Sequence, residues 1–170
     1  IGGCGNRSPE RVIVMNEACL LLGSNIDPEK NIPLALQSLR QSPLIRVVQI
    51  SSIWQTAAVG SAGADFLNVA VKVLVDCEFD CLKQMILSEI EKELGRVRTA
   101  NKNAPRTIDL DVVVYNQKVM EDSLFELDHL ILPVSELMPQ IYSDKYHCTL
   151  EERAAQRLHL TNAKKVNLDN

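Results

Sequence analysis

The sequence predicts a single α+β domain in which short strands and helices alternate along the chain. Two segments rich in β-branched residues, IRVVQISSIWQT and DFLNVAVKVLVD, are typical of strands. A third segment, DCLKQMILSEIEKELGR, carries apolar residues at helical spacing. The chain has 170 residues, of which 46% are hydrophobic and 24% charged, so it is long enough for one well-packed core and short for two.

The first elements come after residues 1–14, a polar, glycine-containing stretch that we expect to be an extension outside the fold. The apolar segment ACLLLGSN then predicts the first strand. Asp27 before Pro28 predicts a helix that starts with Asp27 as its N-cap. The pair Ser42-Pro43 predicts the end of that helix.

The middle of the chain combines long strands with one well-defined helix. We expect IRVVQISSIWQT to form one strand, and the glycine- and alanine-rich connection 56–64 to let the backbone approach a ligand closely. The helix that begins at Asp80 should end at Gly95. Its apolar residues at helical spacing are Leu82, Met85, Ile86, Ile90 and Leu94.

The C-terminal part of the chain should consist of one short helix and a polar tail. Thr149 and Glu152 are spaced as a capping box, which predicts a helix in TLEERAAQRLH. Residues 161–170 follow as the polar tail, and we expect its final residues to be disordered.

Charge and composition disfavour several classes of protein. The net charge of −4 argues against a general nucleic-acid binder. The chain has no run of 18 apolar residues, and the segment RVIVMN is too short for a signal-peptide core or a membrane span, so we expect a cytoplasmic protein without membrane contact. The five cysteines are an odd number without metal-ligand spacing, which favours reduced thiols.

Basic residues cluster in a polar loop that begins at Arg96 and ends at Arg106. Arg98 and Lys102 lie between them, and the loop contains no acidic residue. A solvated charge run is the ordinary interpretation of such a cluster. The alternative is an anion site, because guanidinium groups bind phosphate oxygens in a bidentate manner.

Two aspartates follow this loop. Asp109 and Asp111 are two residues apart and therefore project from one face of a strand, while Leu110 and Val112 project from the other. Like charges side by side repel, so strand packing does not explain them. Mg²⁺ is commonly held by one or two carboxylates together with substrate phosphates. The pair beside the arginines therefore favours Mg²⁺-nucleotide chemistry, with an exposed acidic edge strand as the alternative.

The segment GRVRTANKNAPRTIDLDVVVY resembles the signature of the 6-hydroxymethyl-7,8-dihydropterin pyrophosphokinase family. That signature is a basic residue, any residue, a small residue, Pro-Arg, two residues, then Asp-aliphatic-Asp and two further aliphatics. The segments LLLGSN, SSIWQTAAVG and DFLNVAVKV resemble other parts of the family in the same order. The whole resemblance spans roughly Ala18 to Gln140.

This resemblance implies both a fold and an activity. The fold is a single ferredoxin-like domain over residues 15–160, with a mainly antiparallel sheet flanked by helices. The activity is that of an ATP-dependent diphosphotransferase, which transfers the β,γ-diphosphate of ATP to the hydroxymethyl group of the pterin and releases AMP, in folate biosynthesis. ATP would be a co-substrate, two Mg²⁺ ions would be required, and the chain would act as a monomer or weak homo-oligomer on small molecules.

The resemblance also implies roles for residues that contact the phosphates. Asp109 and Asp111 would hold the two Mg²⁺ ions, and Asp111 would also meet the substrate hydroxyl. Arg96, Arg98 and Arg106 would bind the triphosphate. Of these three, Arg96 and Arg106 would stabilise the transition state.

The remaining implied roles concern the nucleoside and the pterin. Glu91 and Val112 match positions where the family meets the nucleoside. A flat heteroaromatic ring needs an aromatic face and an amide that carries both a donor and an acceptor. The matching pterin positions are Thr56, Ala57, Ala58, Val59, Phe66 and Asn68. Phe66 as a core residue and Asn68 as an internally satisfied strand residue are the structural alternatives.

The chain departs from the family in the segment after the aspartates, SLFELDHLILPVSELMP, which is shorter and lacks a proline-histidine motif. Leu127 stands where the family has an arginine, and Asn103 stands where it usually has a tryptophan. His129 occupies the position of the second stacking aromatic, with a strand histidine as the alternative. These departures predict a larger effect on turnover than on the fold.

Two other functions stay open at this point. The missing arginine and histidine favour a catalytically impaired relative that still binds pterin or nucleotide. A ferredoxin-like RNA-binding or regulatory module is the third possibility, although the negative net charge and the lack of paired exposed aromatics disfavour it.

Overall fold

The computed structural model describes residues 15–58, 64–98, 100 and 104–168. Over these ranges the chain forms a seven-stranded antiparallel sheet with helices on both faces and a separate two-stranded sheet. The predicted α+β architecture with a mainly antiparallel sheet is confirmed. No helix in this part of the chain is long and apolar enough to cross a membrane. The predicted extension, 1–14, lies outside the described residues.

The elements alternate along the chain as the sequence predicts. The strands are β1 (Asn16–Ser24), β2 (Ile45–Ile50), β3 (Ile53–Thr56), β4 (Phe66–Val75), β5 (Asp109–Tyr115), β6 (Lys118–Val119), β7 (Tyr142–Ser143), β8 (Cys148–Thr149) and β9 (Lys164–Val166). The helices are α1 (Pro28–Gln41), a π-helical segment (Cys81–Leu87) that continues into α2 (Ser88–Glu93), a 3₁₀ turn (Asp122–Phe125), α3 (Asp128–Leu137) and α4 (Leu150–Leu158).

The large sheet has the order β6-β5-β1-β4-β3-β9, and β2 pairs with the other end of β4. Alternating residues of its strands face two apolar layers. The first layer packs the sheet against α1, the π-helical segment and α2, and its fully buried members include Leu20, Leu22, Val69, Ile32, Leu39 and Leu82. The second layer packs the sheet against α3 and α4, and its buried members include Leu21, Ala70, Leu130, Ile131 and Leu150.

The long strand predicted between residues 45 and 56 is divided into β2 and β3, so the expectation of one continuous strand is wrong. The backbone N–H of Ala70 donates to Ser51 Oγ (2.9 Å), and the N–H of Ser52 donates to Glu136 Oε2 (2.8 Å). At the break, the side chains of Ser51 and Glu136 thus accept backbone hydrogen bonds that a neighbouring strand would accept in a continuous sheet. A register shift between Val47 and Gln49 bends β2 further.

The helix predicted from Asp80 exists, but its first part is π-helical. The wider turn moves the buried position from i+4 to i+5, so Leu87, which is 1% exposed, packs in the first layer with Leu82. Met85 is 70% exposed, and its predicted place on the apolar face is wrong. Gly95 adopts a left-handed φ of 79° at the end of α2, as its predicted role requires.

The other helix boundaries follow local signals. The capping box of Thr149 and Glu152 is present at the start of α4. Asp27 occupies the N-cap position of α1, but its side chain makes no capping hydrogen bond. Its carbonyl oxygen instead accepts hydrogen bonds from the N–H groups of Lys30 (3.0 Å) and Asn31 (2.9 Å).

The C-terminal tail contains β9, which pairs with β3. Part of the predicted polar tail is thus ordered, while the last two residues, 169–170, lie outside the described residues and their expected disorder stays a prediction. The cysteines of the described residues are free thiols, as predicted: Cys19, Cys77, Cys81 and Cys148.

Candidate active site

One row of paired residues crosses five strands of the large sheet. It runs from Asp109 on β5 through Gly23 on β1, Asn68 on β4 and Trp54 on β3 to Lys165 on β9. Directly opposed residues of antiparallel strands project to the same face, here the face of the second layer. This cross-strand row brings a candidate metal ligand and a candidate pterin ligand onto one surface.

Asp109 and Asp111 share this face, as their spacing predicts, while Leu110 and Val112 are buried in the first layer. Asp109 is paired with Arg106 and also accepts a hydrogen bond from Arg96 Nη2 at 3.4 Å. The carboxylate therefore sits between two of the three predicted phosphate-binding arginines.

Asp111 lies in a negative field. Loss of hydration and the neighbouring carboxylates of Asp109 and Glu91 raise its pKa to about 6, and Lys83 opposes this shift only in part. Part of the residue still reaches solvent. A carboxyl group in this electrostatic environment favours binding of a proton or a cation.

Arg96 carries a buried polar atom without a partner. Its side chain is 11% exposed, and its Nε makes no hydrogen bond to the rest of the described chain. An unpaired buried donor costs free energy. An anion bound beside the carboxylate pair would supply the missing acceptor.

Glu91 is 3% exposed and joins α2 to β5. Its Oε1 accepts a hydrogen bond from the backbone N–H of Leu110 (2.8 Å), and its Oε2 accepts one from Arg98 Nη2 (2.9 Å). Burial raises the pKa of Glu91, although these donors oppose the shift. The two predicted nucleoside residues, Glu91 and Val112, are thus both buried on the side of β5 that faces the first layer.

Asn25, to which the sequence analysis assigned no role, holds the end of the arginine loop. Its Oδ1 accepts a hydrogen bond from the backbone N–H of Arg106 (2.7 Å), and its own N–H donates to the carbonyl of Arg106 (3.1 Å). Ser24 Oγ donates to the carbonyl of Thr107 (2.6 Å). In the sequence, the polar segment GSN directly after the apolar first strand is the pattern that could have indicated these contacts.

The predicted pterin residues meet at the other side of Gly23. Asn68 is 3% exposed, and its Nδ2 donates to Thr56 Oγ1 at 2.9 Å. Phe66 lies opposite Thr56 on the neighbouring strand. A Cβ atom at Gly23 would lie 3.1 Å from Asn68 Oδ1, so a side chain at this position would crowd the amide oxygen.

The predicted loop that frames the pterin is described only at its ends. Ala57 is exposed and Ala58 is half-buried, and both directly follow β3. Val59 lies outside the described residues, as do Lys102 and Asn103 of the arginine loop. Their predicted roles stay predictions.

The segment that departs from the family forms the start of α3. Leu127 is the N-cap residue, its carbonyl accepts hydrogen bonds from the N–H groups of Leu130 and Ile131 (both 3.0 Å), and its side chain packs against the second layer. His129 lies in the first helical turn, so the alternative of a strand histidine is wrong. Burial lowers the pKa of His129, and the positive charge of Arg106 adds to this effect.

The described residues contain no group of three or more His, Cys, Asp or Glu side chains arranged to hold a metal ion. The candidate ligands are therefore the oxygen atoms of one carboxylate pair. This donor set fits Mg²⁺, which prefers oxygen and takes its remaining ligands from water and substrate phosphates.

Residues 19–140 match the model of a family described as 7,8-dihydro-6-hydroxymethylpterin-pyrophosphokinase (HPPK). The chain belongs to the HPPK family. The match includes the cross-strand row from Gly23 to Asp109 and the whole arginine loop. The resemblance found in the sequence is thereby confirmed.

Curated members of the HPPK family align with most of the chain. A 2-amino-4-hydroxy-6-hydroxymethyldihydropteridine pyrophosphokinase of Bacillus subtilis is 34% identical over 137 residues, which cover 74% of this chain and 80% of the relative. A protein of the same name from Methylorubrum extorquens is 35% identical over 137 residues, covering 75% and 85%.

Among solved structures, Plasmodium falciparum HPPK-DHPS has a similar fold, with a TM-score of 0.67 at 11% identity. The alignment covers 92% of this chain and 45% of the Plasmodium chain, so this chain spans about half of that fused protein. At this identity the likeness concerns the fold alone.

Proposed function

We propose that this HPPK family member transfers the β,γ-diphosphate of ATP to the hydroxymethyl group of 6-hydroxymethyl-7,8-dihydropterin and releases AMP. The observation that carries the proposal is the cross-strand row, in which Gly23 separates Asp109 from Asn68. Two strand spacings amount to about 10 Å. That distance suits a flat pterin whose hydroxymethyl arm points toward the phosphates.

The phosphate half of the site consists of Asp109, Asp111, Arg96, Arg98 and Arg106. In the proposed reaction Asp109 and Asp111 would hold two Mg²⁺ ions, which would supply charge neutralisation and alignment of the phosphate oxygens. The arginines donate to the same oxygens. Arg96 Nε, which has no partner among the described residues, supports this assignment.

The arginines must change partners as ATP binds. Arg96 and Arg106 contact Asp109, and Arg98 contacts Glu91. Phosphate oxygens accept the same bidentate donors. With the arginines on the phosphates, the carboxylates of Asp109 and Asp111 would be available to hold Mg²⁺, and Asp111 would accept the hydrogen bond of the substrate hydroxyl.

The pterin half of the site consists of Gly23, Thr56, Phe66 and Asn68. In the proposed complex the Asn68 amide, held by Thr56, would present its oxygen to the ring edge beside Gly23. Phe66 offers an aromatic face. These contacts position the hydroxymethyl oxygen for attack, and positioning together with charge neutralisation supplies most of the rate in phosphoryl transfer.

A catalytically impaired binder is the second candidate, favoured by one observation. Leu127 packs in the second layer, so the position at which the family carries an arginine offers no cation here. The impaired protein would bind ATP and pterin but form little AMP.

Measurement of AMP formation separates the two candidates. We expect AMP to appear only when Mg²⁺, ATP and the pterin are all present. Tight binding of both substrates in calorimetry without AMP would favour the impaired binder, and no binding of the pterin would contradict both.

The proposal also covers the location, the assembly state and the partners of the protein. We infer that the protein acts in the cytoplasm as a monomer or weak homo-oligomer, with pterin and ATP as its partners and without nucleic acid or membrane contact. The net charge of −4 supports the absence of nucleic acid. Light scattering at micromolar concentrations tests the assembly state.

A further inference from the structure

The outer edge of β3 is covered by the C-terminal strand. In β9, Val166 pairs with Ile53, Lys165 with Trp54 and Lys164 with Gln55. The strand β3 has only four residues and follows the break at 51–52, and β9 is its hydrogen-bonded neighbour on this side. Short strands with open edges are weakly specified.

A polar cluster around Lys165 fastens β9 to β3 and α3. Lys165 Nζ lies 3.0 Å from Glu136 Oε1 and 5.2 Å from the centre of the Trp54 ring. The same carboxylate accepts hydrogen bonds from Trp54 Nε1 (3.0 Å) and from the N–H of Ser52 (2.8 Å). Although burial alone would raise the pKa of Glu136, these donors hold it below its ordinary value.

This cluster lies at one end of the cross-strand row. Trp54 is the direct partner of Asn68, and Thr56, two residues farther along β3, accepts the hydrogen bond of the Asn68 amide. A one-residue slip of β3 would turn Trp54 and Thr56 to the opposite face. The orientation of Asn68 therefore depends on the register that β9 maintains.

The residues after Lys165 also border the pterin loop. Val166 and Leu168 line a cavity of about 580 Å³ together with Asn25, Gln55 and Asp65. Gln55 Nε2 donates to Asp65 Oδ2 at 2.8 Å and so closes the base of the connection between β3 and β4. The C-terminal segment thus contacts β3 along its outer edge and the base of the loop that follows it.

We propose that β9, through Lys165, is a positioning element for the pterin half of the site. It holds β3 in the register in which Thr56 orients the Asn68 amide before the pterin binds. The inference rests on the proposed function, because the pterin roles of Thr56 and Asn68 belong to it. Lys165 touches no reacting atom, and its effect reaches the site through Trp54 and Asn68.

Lys164 provides a matched control for Lys165. It is the adjacent residue of the same strand, carries the same charge and is exposed like Lys165, but its strand partner is Gln55 instead of Trp54. Lys164→Ala and Lys165→Ala therefore remove the same group from opposite faces of β9. Lys165→Arg, which keeps the charge and the contact with the ring, is the conservative rescue.

The kinetic test compares these variants in AMP formation. We expect Lys165→Ala to raise the KM for the pterin by up to about tenfold, the loss expected for one largely exposed ion pair together with a cation–π contact. The KM for ATP and kcat should stay within about twofold, since β9 pairs with β3 and the ion pair of Lys165 is with Glu136, on the pterin side of the site. Lys164→Ala should match the wild type, and Lys165→Arg should recover most of the loss.

Trp54 gives a readout that needs no substrate, because it is the single tryptophan of the chain. Loss of Lys165 should loosen the indole contact with Glu136 and shift the emission of the folded protein. The emission of Lys164→Ala should stay unchanged. Cooperative thermal unfolding of all three variants shows that the comparison concerns folded protein.

The outcomes separate this inference from the proposed function. If the wild type forms AMP and Lys165→Ala leaves the pterin KM unchanged, or changes the two KM values equally, the positioning role is overturned. If the wild type forms no AMP with the pterin, the proposed function fails. In that case an emission shift confined to Lys165→Ala supports the register role of β9, and identical emission in both alanine variants overturns it.

Discussion

The two halves of the candidate site differ in how their side chains are held without ligand. In the phosphate half, the charged groups contact one another: Arg96 and Arg106 contact Asp109, and Arg98 contacts Glu91. In the pterin half, a neutral hydrogen bond joins Asn68 to Thr56. One half is held by ion pairs, and the other by a neutral hydrogen bond.

This difference predicts different behaviour on binding. These ion pairs are largely buried on the carboxylate side, so an arginine can leave its carboxylate at low cost only where a phosphate supplies an equivalent acceptor. The neutral pair is buried, and breaking it would leave polar groups without partners. The phosphate half should respond strongly to charge and pH, and the pterin half should respond to changes in shape and hydrogen bonding.

The largest effect is expected from Asp111→Asn. Loss of one carboxylate charge at the proposed metal site should lower kcat about 10²–10³-fold, as removal of a charge-stabilising group does in other enzymes. Asp144→Asn removes an exposed carboxylate in the turn between β7 and β8 and should match the wild type. Normal Mg²⁺-ATP binding and turnover in Asp111→Asn would refute the metal assignment.

Arg96→Ala should lower kcat about 100-fold, because a donor to the transferring phosphates would be lost. The KM for the pterin should change little, since the ion pair of Arg96 is with Asp109 in the phosphate half. Arg46→Ala, which removes an exposed arginine of β2, is the control. An equal loss of pterin affinity in Arg96→Ala would mean that the two halves are not separable.

The binding of Mg²⁺-ATP should depend on pH through Asp111. Its pKa is raised to about 6, so the carboxyl is protonated below that pH and must release its proton before it can hold a cation. Affinity should fall by up to about tenfold per pH unit as the pH decreases below about 6, and should level off above it. Calorimetry in buffers of different ionisation enthalpy would detect the released proton, and in Asp111→Asn this release should vanish.

Thr56→Val should change pterin binding by less than the preceding substitutions change kcat, and this change should not depend on salt concentration. The substitution keeps the side-chain shape but leaves Asn68 Nδ2 without its acceptor in a buried place, a cost of about 1–3 kcal/mol. We expect the KM for the pterin to rise about tenfold at both low and high salt, with the KM for ATP unchanged. Thr56→Ser retains the hydroxyl and should behave as the wild type.

Local sequence signals predicted several features of the structure. The two-residue spacing of Asp109 and Asp111 predicted their common face, because side chains of a strand alternate with a period of two. The capping box at Thr149 predicted the start of α4, because all its partners lie within one turn. Gly95 predicted the end of α2 for the same reason.

Features that depend on contacts between residues far apart in the chain could not be predicted from local sequence signals. The break after Ile50 follows from the contact of Ser52 with Glu136, which lies far along the chain. The π-helical segment exposes Met85 because the packing of Leu87 against the first layer selects a wider turn. Leu127 and His129 belong to α3, whose apolar residues are buried against the sheet.

The sequence by itself determined which chemical groups this protein carries and how neighbours along one strand or helix are oriented. It contained the carboxylate pair, the arginines and the asparagine, since each is a local choice of residue. Only the tertiary structure decided that Gly23 lies between Asp109 and Asn68, and that Lys165 ends the same row. Register between strands is decided by packing and hydrogen bonds between segments far apart in the chain, and no local pattern contains that information.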